Sequence, residues 1–580
     1  MFVAARRNTK TLAVILLKPY IKMKNRLLLF LFTFLIICCR NDDVVNDNQQ
    51  TQEIELRTNI PTFVSQIQVD YEGEIIKTNN EEILLYGMLI GENENLTIDS
   101  NQGDQTKEYS NGDKILNGSF YDLEGNKKYF LRFYVKTNKK IYYGNIVNFE
   151  SKKHNSPSEQ IINLNSQQNV IDFGKNNYTY VFELNIRGDV EDLSPLSSII
   201  KVGKSLNIEY TSKLKTLHGL ENLQIIGTDV LPNGQLQIYN NSKLETLSGL
   251  DKLMFTGRLY VGFNPLVNNL QGLGKLEQAW HSTFLTVPSF DGLPLNFRTG
   301  EFESRGFQGT DLGNRTINCE AYDFALKDAP NITSLKGFIV GNYQNTTSFT
   351  IENCKKLKSL EGIVFPSKYD DISITNCENF ESLKGLDNLT IVDVLSLNNL
   401  PKLENLKGLE NVSQIERLYL SKVSITNFMG LNSVKTIDHL SVSFCNNLIN
   451  FQGLPSLTKI GDDISYFEIS SCQNLENFVG LEKVQHFTRF NIYSLPMLKN
   501  FDGIKQAKMP FISIRNCNFI NSLQGLENVF GVSNLAIYEN QNLQNFCAIK
   551  NIVGNLNSNS YYVKNNLNNP TQQEIINNCP

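Results

Sequence analysis

Tryptophan occurs once in this chain of 580 residues, and histidine only five times, at positions 154, 218, 281, 439 and 486. No two of these histidines are close in sequence, which argues against a histidine-based zinc site or acid–base centre. Basic residues do not outnumber acidic ones. Formal net charge is -5, so the electrostatic footprint of a nucleic-acid binder is missing. No H-E-x-x-H, G-x-S-x-G or calcium-loop spacing is present. Val202 to Ser205 reads V-G-K-S, the end of a phosphate-binding loop, but Ser198 stands where the first glycine of that loop belongs. The expectation is therefore a protein that is not an enzyme, with no cofactor, no bound metal and no nucleic-acid partner.

What the chain has instead is a period. It is 41% hydrophobic and 19% charged, the profile of a folded protein. It is too long for one core, so it is several domains or an array. Ile351-Glu-Asn-Cys354 is followed by Leu357, Leu360 and Gly362. Ile374-Thr-Asn-Cys377 repeats it 23 residues later, with Phe380, Leu383 and Gly385. An aliphatic residue leading to a glycine in L-x-G recurs from Ile208 and Gly219 to Ile514 and Gly525. From Gly362 onward the glycine-to-glycine steps are 23, 23, 22, 23, 27, 23 and 22. Such a repeat marks a solenoid, in which each copy is one rung.

One rung can be read residue by residue. L-x-I alternates, so it is a strand with its aliphatic residues pointing in. Three residues on comes Asn241, Cys354, Cys377, Cys445, Cys472 or Cys517, where a small side chain or a turn-bonding amide is needed. These cysteines read as reduced core residues; Cys319 lies outside their column. Two apolar residues then turn inward, and glycine allows a bend that a Cβ would crowd. About fourteen rungs at ~4.8 Å spacing make a rod on the order of 65 Å long. Between residues 277 and 325 the period fails, and the stretch reads as an irregular insert or as degenerate rungs.

Alternation leaves a second set of side chains pointing out. The candidate binding face comprises Tyr239, Tyr260, Thr350, Glu352, Ser373, Thr375, Ser396, Asn398, Tyr419, Ser441, Ser443, Tyr493 and Tyr538. Tyrosine offers large contact area at low ordering cost, and Ser, Thr and Asn offer adaptable hydrogen bonds. The same residues also suit any exposed strand. The row is mostly uncharged, whereas parallel β folds that cleave polysaccharides gather carboxylates.

The N-terminus carries an address. Met23 to Arg26 is a short basic segment, and Leu27 to Ile37 is apolar except for Thr33. Eleven residues are too few to span a bilayer and fit the apolar part of a secretory signal. The run ends L-I-I-C-C-R-N-D-D at Asp43, which resembles the lipobox of bacterial lipoproteins. On that rule Cys39 is the lipidated residue, because the small Cys38 precedes it; Cys38 is the alternative. The resemblance implies a membrane contact through a lipid anchor, and the acidic residues after Cys39 imply the outer face of the outer membrane.

Residues 1–39 are thus the signal region, and the polar 40–52 a flexible tether. Residues 53–151 show short alternating strands with turn signals, a small antiparallel β-sandwich. Leu123-Glu-Gly-Asn-Lys-Lys-Tyr129 followed by Phe-Leu-Arg-Phe-Tyr-Val resembles the tyrosine corner of fibronectin type III domains, with Tyr129 closing the corner through its hydroxyl. Residues 152–164 read as a linker, and 165–546 as the solenoid. Ser166 to Gly174 is a short helix that covers its open end and is ended by glycine.

The repeated phrase L-x-I-x-x-[NC] matches the core of leucine-rich repeats, and its longer form resembles the L domains of growth-factor and insulin-type receptors. It also resembles leucine-rich surface lipoproteins of Gram-negative bacteria. Ile537 to Cys547 resembles the L-domain close. Residues 547–580 are the C-terminal cap, with a capping box at Thr571 and Glu574. In an oxidising compartment a Cys547–Cys579 disulfide is expected to lock it. The expected fold class is mainly β, a parallel β solenoid preceded by a small antiparallel sandwich. The expected function is recognition or adhesion at a cell surface, with a protein or glycan ligand. A carbohydrate-active protein (a glycan-binding lipoprotein or a β-helix hydrolase or lyase) and a structural envelope component are the alternatives.

Overall fold

The computed structural model describes residues 54–79, 81–99, 103–108, 114–227, 234–319, 323–341, 347–461 and 466–580. The signal segment, Cys38, Cys39 and the 40–52 tether lie outside the described residues. The protein is mainly β, about 40% strand and 6% helix.

Two antiparallel four-stranded sheets come first. One joins Glu55–Thr58, Phe63–Val64, Gln68–Lys77 and Ile115–Tyr121. The other joins Gly103–Glu108, Ile83–Gly91, Lys128–Thr137 and Ile141–Glu150. Strand alternation aims Val69, Tyr71 and Ile75 from the first sheet and Leu131, Phe133 and Val135 from the second into one core. The backbone N–H of Glu124 donates to the Tyr129 hydroxyl at 2.9 Å, so the expected corner contact forms. Gly103–Glu108 and Ile115–Tyr121 carry the weakest strand signals, because polar residues dominate the first and two strand-breaking residues, Asn117 and Gly118, interrupt the second.

The stretch read as a linker is instead tied down. Lys152 N–H donates to Ser65 O at 3.1 Å, and Asn155 O accepts from Thr179 N–H at 2.8 Å. The first solenoid strand, Ile161–Ser166, already begins inside the expected linker and pairs in parallel with Tyr180–Asp189. The stack therefore begins at 161 rather than 165. Its helix, Gln167–Gly174, has Ser166 as N-cap, accepting from Asn169 N–H. Gly174 does not stop that helix through a left-handed turn. A Cβ there would lie 2.4 Å from Pro195, so close approach explains the glycine.

Parallel strands then follow in chain order to Tyr561–Lys564, about 17 turns in all. The excess over fourteen comes from early, irregular and terminal rungs that lack the full phrase. Each rung buries its strand aliphatics, such as Ile372 and Ile374, and its returning leucines, such as Leu383 and Leu386, with no solvent exposure. A second, shorter ladder (Ile225–Ile226, for example, between Lys201 and Phe255) bends the rung.

Two columns turn the chain off the sheet. The residue before the Asn/Cys position is left-handed in rung after rung, with φ near +55° at Asn353, Asn376 and Asn399. Asparagine tolerates that region better than most residues, which accounts for its abundance here. The next position bonds the rung before. Asn264 Nδ2 donates to Ile238 O at 2.9 Å, and Asn540 Nδ2 to Ile514 O at 3.2 Å. In other rungs a thiol takes that place: Cys354 Sγ lies 3.8 Å from Leu326 O, and Cys445 Sγ 3.8 Å from Leu420 O. These cysteines are buried and unbridged, and so is Cys319. The glycine is required by both sterics and torsion. Gly385 has φ +112°, and a Cβ there would lie 2.2 Å from Leu360 O.

Residues 277–325 are rungs, not an insert. Gln278–Leu285, Asn296–Arg305 and Phe324–Lys327 continue the long sheet in register. The phrase is lost because phenylalanine replaces the aliphatic columns. Phe302 stacks on Phe324 at 5.4 Å and Phe324 on Phe349 at 5.1 Å. A larger ring fills a shorter rung: His281 and Glu301, neighbours across this step, are only 20 residues apart.

At the far end, Thr571 and Glu574 form the reciprocal capping box of Gln572–Asn578. Cys547 and Cys579 are joined by a disulfide, with Cα atoms 5.1 Å apart.

Candidate functional site

Parallel register carries the outward residues into straight columns. One runs from Asn185 through Asn207, Gln237 and Tyr260, and later through Thr350, Ser373, Ser396, Tyr419 and Ser441. It continues through Glu468, Asn491 and Ser513. The neighbouring column holds Glu209 and Tyr239, then Glu352, Thr375, Asn398 and Ser443, then Tyr493, Arg515 and Tyr538. All the candidate face residues lie in these two columns. They do not converge on one point. Tyr239 and Tyr538 are thirteen rungs apart along the register, about 60 Å at strand spacing. The face is a strip with a distinct character at each end.

At the N-terminal end, aromatic rings gather on Tyr239. Its ring centroid lies 5.7 Å from Tyr210, 5.7 Å from Tyr260 and 5.5 Å from Phe263, the first and last edge-on. Partial burial beside these rings pushes the Tyr260 hydroxyl pKa up. Tyr210 and Phe263 occupy the left-handed column, with φ +54° and +52°. A bulky residue is costly there, about 1–2 kcal/mol, and yet the two side chains stand 56% and 46% exposed. Beside the rings runs an amide ladder. Asn185 Nδ2 donates to Asn163 Oδ1 at 3.0 Å, and Asn207 Nδ2 to Asn185 Oδ1 at 2.8 Å. Gln237 Nε2 donates to Glu209 Oε2 at 3.0 Å, and Arg187 pairs with the other oxygen of that carboxylate.

The middle of the strip is mostly small and polar, broken by Tyr419 and by Phe444, which is exposed in the left-handed column; Ser443 Oγ donates to Ser421 Oγ at 3.1 Å. At the C-terminal end lies a shallow groove of about 500 Å³. Asn491 and Ser513 are its floor. Arg489 and Phe511 form one wall, and Tyr493, Arg515 and Tyr538 the other. Tyr493 hydroxyl donates to Glu468 at 3.2 Å, and the Arg515 guanidinium sits 5.5 Å over the Tyr538 ring. Arg515 also donates to Glu539 at 3.0 Å, which raises its pKa further.

Sequence reasoning missed Tyr210, Phe263, Arg489, Phe511 and Arg515. Phe263 sits one residue past its strand and Tyr210 at the matching left-handed position inside Lys201–Thr211, a position where most rungs carry Asn, Ser or Asp. An aromatic residue at that position was the signal available.

Residues 168–272 match the family model of the receptor L domain. That span opens in the first helix and ends on the rung that carries Tyr260 and Phe263; the remaining rungs continue the same register. Two solved structures of the sensor domain of the anti-sigma factor RsgI4 in Pseudobacteroides cellulosolvens are similar over a small part. The short form covers 18% of this chain and 99% of that one, and the solution structure covers 17% and 76%. Both are 13% identical with a TM-score of 0.15, too low to bear on this chain. No curated protein matches. The L-domain match and the solenoid fold together point to a binding or recognition module.

Proposed function

We propose that this protein is a non-enzymatic recognition module that binds a protein or glycan at a cell surface through the two-column strip. The antiparallel sheets act as a fibronectin-like stalk, and a lipid on Cys39 holds the chain at the outer membrane. The observation that carries this reading is the exposure of Tyr210 and Phe263 in backbone positions that disfavour them. Strain of this kind persists where function repays it. The groove lining speaks against hydrolysis, since Glu468 is the one carboxylate among its described residues and glycosidases need a facing pair.

Screening the purified protein on glycan arrays and on arrays of envelope and host proteins tests the proposal. A saturable ligand whose binding weakens when strip tyrosines are replaced is the expected result. No ligand on either array would favour a purely structural envelope role. The anchor has its own test: palmitate labelling of expressing cells should be lost in Cys39→Ala, and labelling that persists would remove the lipobox assignment.

A further inference from the structure

We infer that the N-terminal end of the strip is a subsite for a neutral, extended glycan chain lying along the solenoid axis. The inference rests on the recognition role proposed above and goes beyond it by naming ligand class and place. Three features converge. Tyr239 and Tyr260 present adjacent rings, 5.7 Å apart, on successive rungs. Tyr210 and Phe263 wall them from the left-handed column while remaining exposed. Directly alongside, Asn207 and Gln237, both half-buried, carry a carboxamide on each of two successive rungs, and the buried Asn185 carries one on the rung before.

Each feature matches a property of sugars. A pyranose has an apolar C–H face that packs on an aromatic ring, and a rim of hydroxyls that both donate and accept. Carboxamides do both as well, and cost less to desolvate than charges. Two of the local cations are neutralised, Arg187 by Glu209 and Lys204 by Glu183; Arg258, exposed two residues before Tyr260, is the cation whose pull on a uronate polymer the parallel acidic gel measures. The repeat distance also fits a polymer. Rungs recur every ~4.8 Å, close to the length of one sugar unit in an extended chain. Hydroxyls of successive units then reach Asn207 and Gln237, whose amides keep one N–H each beyond the bonds of the ladder. A protein ligand has no reason to match a one-amide-per-rung period.

Affinity electrophoresis of the full chain tests this, in gels containing neutral β-glucan, xylan or mannan and, in parallel, polygalacturonate. Retardation by at least one neutral polymer is expected. Tyr239→Ala should weaken it about tenfold or more. Tyr210→Asn should weaken it while keeping the thermal midpoint at or above that of the parent, because Asn suits the left-handed site; lost affinity then cannot be ascribed to misfolding. Tyr538→Ala, at the far groove, should leave retardation unchanged. Absence of retardation in every neutral gel, or stronger retardation by polygalacturonate, overturns the ligand class. Binding lost in Tyr538→Ala but kept in Tyr239→Ala overturns the location and leaves the strip's recognition role standing. A protein-array ligand with no glycan retardation also leaves that role standing and removes this inference.

Discussion

Lys201 and Asp122 form an ion pair that closes the joint between the antiparallel sheets and the solenoid, with both side chains less than one-tenth exposed. Asp122 follows the strand Ile115–Tyr121, and Lys201 opens the strand Lys201–Thr211. His154 sits in the same joint, its ring 5.3 Å from that of Tyr180. The two parts of the molecule are therefore fastened by charge and by backbone hydrogen bonds across residues 152–155.

Removing one partner of that pair leaves a buried charge alone. Asp122→Ala should cost about 3–5 kcal/mol at the joint. The double variant Asp122→Asn with Lys201→Met should recover most of it, because Asn suits the left-handed φ of +64° at that position. Urea unfolding, combined with limited proteolysis of 152–164, reads both effects. Equal stability of single and double variants would show that the pair is not coupled.

The joint should also respond to pH. Burial, reinforced by the Lys201 charge, holds the His154 pKa down at about 4. The neutral ring is thus favoured in the folded state, while the unfolded chain takes up a proton near pH 6.5. His154's contribution is intact above about pH 6.5 and is lost as pH falls toward about 4. The slope is at most ~1.4 kcal/mol per pH unit. Thermal melts of His154→Gln across that window should show a shallower dependence than the parent.

Gly385→Ala tests the rung bend. The new Cβ meets a carbonyl of the preceding rung at 2.2 Å and demands φ +112°, so a loss well above ~1 kcal/mol is expected. Gly313 is the contrast: its φ is +62° and nothing lies within 4 Å of a built Cβ. Gly313→Ala should cost only about 1–2 kcal/mol. Calorimetric melting of the two variants side by side decides.

The C-terminal cap should depend on its cross-link. Cys547 and Cys579 are 32 residues apart, and closing a loop of that size stabilises by about 3–4 kcal/mol in the chain-entropy account. Cys579→Ser, or reduction of the parent, should loosen the last rungs first. Hydrogen exchange along 534–564 measures that directly, and unchanged protection would mean that Phe546, Ile549 and Ile575 hold the cap without help.

Much of this architecture is legible in single rungs. Leu357, Leu360 and Gly362 announce their roles because the forces on them are local: an apolar side chain turns inward, and a glycine turns the corner. The Asn/Cys position is legible as small, but its partner is not. Asn264 and Cys354 bond carbonyls that lie 26 and 28 residues earlier. The irregular rungs were opaque for a related reason. Phe302 and Phe324 break the leucine phrase, yet they fill the same columns when stacked.

The sequence by itself determined the period, the solenoid, the inward columns and the capped end, since each follows from spacing within one repeat. It also named the outward tyrosines of the strands, Tyr239 and Tyr260 among them, but not Tyr210 or Phe263. Only the tertiary structure decided which of them are neighbours. Tyr210, Tyr239, Tyr260 and Phe263 meet because the rungs stack in one parallel register, and Lys201 meets Asp122 because the third solenoid strand, Lys201–Thr211, docks on the antiparallel sheets. Contacts across 20 or more residues depend on the length of every turn between them, and that length is set by packing, not by the motif.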